Sequence, residues 1–480
     1  MTGPLIRRAC VLVAAAMPLL AGPIAPSIAR GQSCLCGTAA DELVAARLGL
    51  EREWVVQVPF DSAAWRLEHV VVGDSLVVAQ AGDGSVAAIS TTSAPGGPRR
   101  GTVAWSSSLG RGTAPLEAAG IGPAIVTIAR GRDLVALDAV TGATRWERSL
   151  RTVASGSAVP STGWVYAPLD AGGIQRFPEV PFAQPKANAT TGKPVAPAKE
   201  PATGPRPGEP LTPIEISSDG EVDFPPLTYR GSIEELNELE WEGILWCTID
   251  GRISGIDRTP KGNKSVEFDL GGPAAGPPVE HAGSIFVTTK AGDLARIAVG
   301  RSPIRLTANS GIDIVEGEAK DGSGKKRVEY PYTGWHNVIE EVPDGGPLVG
   351  GDTVVVSLGP AGVAAFAAAT GDLLWQEPAM GRPVAITGDQ VWCVEATGFL
   401  VARDLATGAR LGRLCLGCFT IPIVNTTTER LVLASPGGLV VSLAPRRTVA
   451  AEPPAPQPPA PQPVAPADEA EAATAPAEDL

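Results

Sequence analysis

A pair of short apolar strands joined by a turn rich in glycine or aspartate recurs eight times along this chain, and that recurrence limits the fold more than any other feature. The copies span residues 75–89 (SLVVAQAGDGSVAAI), 124–138, 164–177, 244–257, 284–298, 353–366, 390–404 and 430–443. Where nothing is inserted they lie about 40 residues apart, the spacing of a four-stranded propeller blade. A proline followed by an apolar residue precedes four of them, at Pro278-Val279, Pro347-Leu348, Pro383-Val384 and Pro422-Ile423. Proline is tolerated at the first residue of a strand, so these pairs read as the beginnings of innermost strands. A glycine with a tryptophan four residues on follows three of them, at Gly101/Trp105, Gly142/Trp146 and Gly371/Trp375. The glycine supplies the turn after the third strand. The tryptophan falls on the fourth, where it covers the gap to the next blade. In the seventh copy Gly408 is followed by Gly412, so that tryptophan is missing.

The expected fold is therefore all-β, an eight-bladed propeller of four-stranded blades over residues 50–445. Seven blades are the alternative, because the third copy is the weakest. After Leu443 the chain turns proline-rich and cannot supply a fourth strand to the eighth blade. Residues 50–58 (LEREWVVQV) can, since Trp54 sits four residues after Leu50 as the other tryptophans sit after their glycines. The N-terminal strand is expected to complete the last blade and so remove exposed strand edges. Ahead of it, in the segment 30–49, residues 38–48 read as a short helix capped by Thr38, with Asp41 three residues on and Leu43, Val44 and Leu48 on its apolar side.

Two runs carry a resemblance. DLVALDAVTGATRWERSL (133–150) and VAAFAAATGDLLWQEP (363–378) resemble the pyrroloquinoline-quinone-type repeat, and the likeness extends over residues 50–445. That family holds the eight-bladed quinoprotein dehydrogenases. It also holds non-catalytic envelope propellers such as the lipoprotein of the outer-membrane barrel-assembly machinery. The dehydrogenases resemble one another in two adjacent cysteines bridged over the quinone, a Glu/Asn/Asp set for Ca²⁺ and an aspartate base. This sequence has no Cys-Cys pair, and no motif matches the calcium set. The resemblance thus implies a non-catalytic scaffold without a cofactor, binding another envelope protein or a surface polymer. A quinone-dependent oxidoreductase with a degenerate site is the alternative. A polymer hydrolase would need paired carboxylates, and the sequence nominates none.

The N-terminus reads as a signal peptide over residues 1–29. Arg7 and Arg8 precede an apolar run at 9–21, and Ser27-Ile28-Ala29 offers a cleavage site. The run is shorter than the ~20 residues a spanning helix needs, and no later segment is long and apolar enough. The expected location is exported, periplasmic or extracellular, with no transmembrane helix in the mature chain; an uncleaved anchor is the alternative. Lipidation at Cys34 is disfavoured, because Gly31-Gln32-Ser33 lacks an aliphatic residue. A formal charge of −13 opposes nucleic acid as a partner. The stretches 178–213 and 309–344 read as inserts, the second carrying Lys325-Lys326-Arg327, and 446–480 as a proline-rich acidic tail.

Candidate chemistry is sparse. His69 and His281 each follow a glutamate, and His336 with Glu340 would share a face if that stretch were helical. Two ligands without a third are weak grounds for a metal. Cys247 and Cys393 occupy matching places in the fourth and seventh hairpins and are expected to be buried and unpaired. Cys34/Cys36 and Cys415/Cys418 are close pairs outside the hairpins. In an exported protein they are disulfide candidates, with a four-cysteine zinc site as the lesser reading. No catalytic, cofactor-binding or other metal residue is nominated. Trp54, Trp105, Trp146 and Trp375 are expected to be structural.

Overall fold

Seven of the eight repeated hairpins form middle strands of a sheet and the eighth forms two of the three strands of its own, and the sheets stand side by side as the blades of a ring. The computed structural model describes residues 42–446 apart from 94–96, 111–115, 162, 180–213, 217–219, 233–239, 258–263, 299–303, 308–310, 315–333, 379–380 and 422. Blades 1 to 7 run over residues 67–108, 120–149, 159–216, 227–269, 279–338, 348–377 and 382–415. Blade 8 is assembled from both ends of the chain. Leu431–Ala434 and Leu439–Pro445 supply its middle strands, and β1 (Leu50–Gln57) pairs antiparallel with the latter, from Leu50↔Pro445 to Gln57↔Leu439. The third copy makes a full four-stranded sheet with Ile214–Ile216 outermost, so the ring has eight blades and not seven.

Successive residues of a strand point to opposite sides, and in a ring of blades both sides are covered. Val77 and Ala79 pack toward blade 8, while their neighbours Leu76 and Val78 pack toward blade 2. This double burial is why the hairpins read as unbroken apolar runs. Among the described residues eight buried clusters result, each lying between consecutive blades. The cluster that joins Trp54 and Val56 of β1 to Val77 and Ala79 of blade 1 closes the circle.

The expected tryptophans lie on outer strands and seal the seams. Trp105 donates its Nε1–H to Ala139 O in blade 2 at 2.8 Å, Trp146 to Glu179 O in blade 3 at 2.9 Å, and Trp375 to Leu405 O in blade 7 at 2.9 Å. Each of Trp54, Trp105 and Trp375 also lies on the glycine that follows the third strand of the next blade. At Gly408 a Cβ would meet Trp375 Cδ2 at 2.7 Å, and φ is +71°. That position needs glycine for the left-handed backbone and again for the indole above it. A β-bulge directly before each tryptophan aims it: Ala104, Arg145, Leu374 and Glu53 are the extra residues in their ladders. Trp105→Ala is expected to destabilise the protein by about 3–5 kcal/mol, because rigid blades cannot collapse into the void. A lowered urea midpoint with an unchanged native far-UV spectrum would show it.

Two local expectations are corrected. Of the inner strand expected at Pro422-Ile423, the described residues around Ile423 show isolated bridges and no strand. Pro422 lies outside the described residues, and the inner position of blade 8 is held by a single bridge, Ile421↔Ala434. Asn425 instead turns its N–H to Val384 O of blade 7, which draws the segment away from its own sheet. Nor is 309–344 insert throughout. Gly334–Val338 is the outer strand of blade 5, and its Trp335 donates to Ala368 O of blade 6 at 3.0 Å as a fifth seam tryptophan. Within that stretch and just before it, Ile304–Thr307 and Gly311–Ile314 form a hairpin. Its first strand lies parallel to the outer strand of blade 4, Lys264–Asp269, and widens that sheet to six strands. The helix expected at 38–48 is present as α1 (Glu42–Arg47), with Thr38 and Asp41 outside the described residues.

Candidate functional site

Antiparallel connectivity divides the connections of the ring between two faces. Turns from second to third strands, and crossovers to the next blade, lie on one face. Turns from first to second and third to fourth strands lie on the other. Three of the connections that interrupt the repeat leave on this second face, the two longest among them. Residues 180–213 follow Ile174–Pro178, the third strand of blade 3, and lead to its fourth. Residues 299–333 stand between Asp293–Ala298 and Gly334–Val338, the third and fourth strands of blade 5. Residues 233–239 join the first two strands of blade 4, Leu227–Ser232 and Glu240–Cys247. Both ends of the propeller leave there too, since Leu50 lies opposite Pro445. The opposite face carries short turns such as 248–251, 289–292 and 435–438, together with the crossovers between blades, among them 109–119 and 416–430.

The described part of the insert-bearing face is a set of rigid turns. In blade 2 the Asp138 carboxylate accepts from Arg145 at 2.7 Å, from Thr141 N at 2.8 Å and from Val140 N at 3.0 Å. The Arg145 contact, followed by the Thr141 amide, lowers the Asp138 pKa to about 2. Blade 7 repeats the device: Asp404 accepts from the Thr407 hydroxyl and amide, which lower its pKa. Between these anchors side chains project freely, and Val140 is 74% exposed. The face offers fixed positions for contact.

One buried charge cluster belongs to ring closure and went unread in the sequence. Glu53, the bulge residue of β1, has a side chain only 6% exposed. It accepts from Arg430 of blade 8 at 2.7 Å, from Ser442 at 3.2 Å and from Arg100 of blade 1 at 2.9 Å. The bulge turns this carboxylate inward, and strand alternation alone would not have revealed it. Trp335 was likewise hidden, because no glycine stands four residues before it.

The histidines are tied into the scaffold. His69 Nε2 meets Leu116 O at 3.0 Å and His281 Nε2 meets Gly351 O at 3.1 Å, each linking a blade to the next. His336 lies on a strand, so it does not share a helical face with Glu340; its Nε2 is 2.9 Å from Asp293 Oδ1. Among the described residues no group of three or more His, Cys, Asp or Glu side chains gathers as a metal site. Cys247 and Cys393 are buried and free, and burial raises the thiol pKa of Cys247 to about 12 and that of Cys393 further. Cys415 ends the outer strand of blade 7, Cys418 follows in the crossover to blade 8, and both are disulfide-bonded. Cys34 and Cys36, the expected partners, lie outside the described residues. Trp54, Trp105, Trp146 and Trp375 are spread around the ring at its seams and do not meet in one site.

Comparison with known proteins bears on this geometry. A family profile described as outer membrane protein assembly factor BamB matches residues 82–179 and 249–413. The crystal structure of BamB from Moraxella catarrhalis is similar with a TM-score of 0.53 at 17% identity, over 82% of this chain and 97% of that one. Sqt1 of Saccharomyces cerevisiae is similar with a TM-score of 0.49 at 9% identity, over 82% of this chain and 98% of that one. No curated protein matches the sequence.

Proposed function

The chain belongs to the family of the outer membrane protein assembly factor BamB, and from that premise we propose that it is a non-catalytic scaffold of the cell envelope. It binds another envelope protein or a surface polymer, and it uses no cofactor. One observation carries the reading: both ends of the propeller and its two longest connections, 180–213 and 299–333, leave the ring on the same face. Loops on a rigid scaffold are where binding residues concentrate. In this reading the chain is exported, by the signal at 1–29, and works in the periplasm or at the outer membrane. Among the described residues no helix is long and apolar enough to cross a membrane. Its acidic charge leaves nucleic acid out.

The test compares the two faces. A photo-crosslinking side chain at Val140, exposed on the insert-bearing face, should yield a defined adduct in intact envelopes. The same probe at Ile249, 39% exposed in a short turn opposite, should yield none. Adducts from Ile249 alone would place the partner on the wrong face. The enzymatic alternative is checked separately, by adding pyrroloquinoline quinone and Ca²⁺ and following dye reduction with alcohols and aldoses. The expected result is no substrate-dependent turnover, since orientation and electrostatics around a quinone must come from the protein. Turnover with stoichiometric quinone would overturn the scaffold reading.

A further inference from the structure

We propose that α1 and the residue that follows it form a seam plug: Leu48, directly after the helix, takes the place of the tryptophan that blade 7 lacks. At four other seams a tryptophan, Trp54, Trp105, Trp146 or Trp375, stands directly after a bulge, and the next blade receives it on the glycine of its third-to-fourth turn or on a backbone carbonyl beside that turn. The seam from blade 7 to blade 8 cannot be built this way. The third strand of blade 8 ends at Pro445 and its fourth begins at Leu50, so no continuous turn exists there to receive an indole. Blade 7 keeps the bulge, with Leu411 as its extra residue, but carries Gly412 in the tryptophan position. Gly412 is not among the glycines with positive φ, so its backbone does not require glycine. The neighbour does. A Cβ on Gly412 would press into Leu48 Cδ2, and Leu48 is 9% exposed within the cluster that also holds Leu50, Leu414 and Leu416.

The plug is held from both blades. Gln390 of blade 7 donates its amide to Leu48 O at 3.1 Å, and the Arg446 N–H beyond the third strand of blade 8 bonds Gly49 O at 2.7 Å. Gly49, at φ +73°, ends the helix and turns the chain into β1. Glu42 at the start of α1 pairs with Arg52 on β1, which fastens the helix to the closing strand. Cys415, disulfide-bonded, lies three residues beyond Gly412 on the same strand. The segment before the propeller is therefore a working part of the ring, and the last seam stays open unless α1 is seated.

The experiment is a double-mutant cycle in the full chain, read by thermal and urea unfolding. Leu48→Ala should lower the melting temperature by several degrees, and Gly412→Trp should lower it as well, because the indole meets Leu48. Combined, Leu48→Ala with Gly412→Trp should melt above either single variant, as the indole enters the space that Leu48 leaves. Additive losses would overturn the proposal. If the tryptophan variant does not fold, Gly412→Ala makes the same comparison. It should destabilise the parent yet leave the Leu48→Ala background unchanged or more stable, and equal effects in both backgrounds would overturn the proposal. Hydrogen exchange supplies a second readout. Leu48→Ala should speed exchange in Arg410–Cys415 and Leu431–Ala434 before the other blades, whereas a uniform rise around the ring would speak against a local plug.

Discussion

Deleting β1 is expected to abolish cooperative unfolding and leave a chain that aggregates. The deletion strips the outer edge of Leu439–Pro445, which is paired with β1 along its whole length. It also removes Leu50, Trp54 and Val56 from two inter-blade clusters, each worth roughly 1.5–3 kcal/mol when buried. Arg430 and Arg100 lose the Glu53 carboxylate at the same time. A ring has no spare seam, so the fault exposes an unpaired strand edge of the kind that templates association. A milder variant separates the charge from the strand. Glu53→Gln keeps the packing and is expected to cost about 1–3 kcal/mol, less than the ~3–5 of a fully buried pair because both arginines keep some contact with water. Cooperative melting of the deletion within a few degrees of the parent would show that β1 is dispensable.

The second large effect concerns the cysteines. The proposed partners of Cys415 and Cys418 are Cys34 and Cys36, which precede α1 while Cys415 follows Gly412 on the strand that α1 covers. Two bridges would tie together segments nearly the length of the propeller apart, and so restrict the unfolded chain over a very long loop. Replacing Cys415 and Cys418 by serine is expected to cost about 2–5 kcal/mol. Trypsin offers a direct check. Cleavage after Arg30, Arg47, Arg413 and Arg430 puts Cys34 and Cys36 in one peptide and Cys415 and Cys418 in another. Without reductant the two should appear as one species, lighter by four hydrogens than their reduced sum. Separate peptides, each closed on itself, would refute the connection; four free thiols in metal-free protein would refute it together with the zinc reading.

Much of this was legible because repeats report on themselves. The hairpins announced double burial by their unbroken apolar runs, and the Gly-to-Trp spacing located the outer strands of blades 1, 2 and 6. The strand at 50–58 was found by its Trp54. Where the repeat lapses, legibility lapses too. Trp335 lacks its glycine and was lost in a stretch set aside as insert, and beside the proline signal at Pro422 the described residue Ile423 lies in no strand. A proline permits a strand to begin there; whether one forms depends on whether the backbone finds a partner, and Asn425 finds blade 7 instead.

Local pattern by itself determined the class of fold and the way the ring closes, because each depends on burial and spacing that the copies restate, whereas the choice of eight blades over seven waited on the full sheet of the third copy. Tertiary structure alone decided what happens at the one seam where the chain is cut. A missing tryptophan at Gly412 reads in sequence as a gap, and only the arrival of Leu48 from the other end of the chain explains it. Glu53 shows the same division. In an alternating strand it is one more polar residue, and it becomes a buried latch only because a bulge turns it toward Arg430 and Arg100. Contacts between residues hundreds of positions apart leave no period in the sequence, so the fold had to bring them together before they could be read.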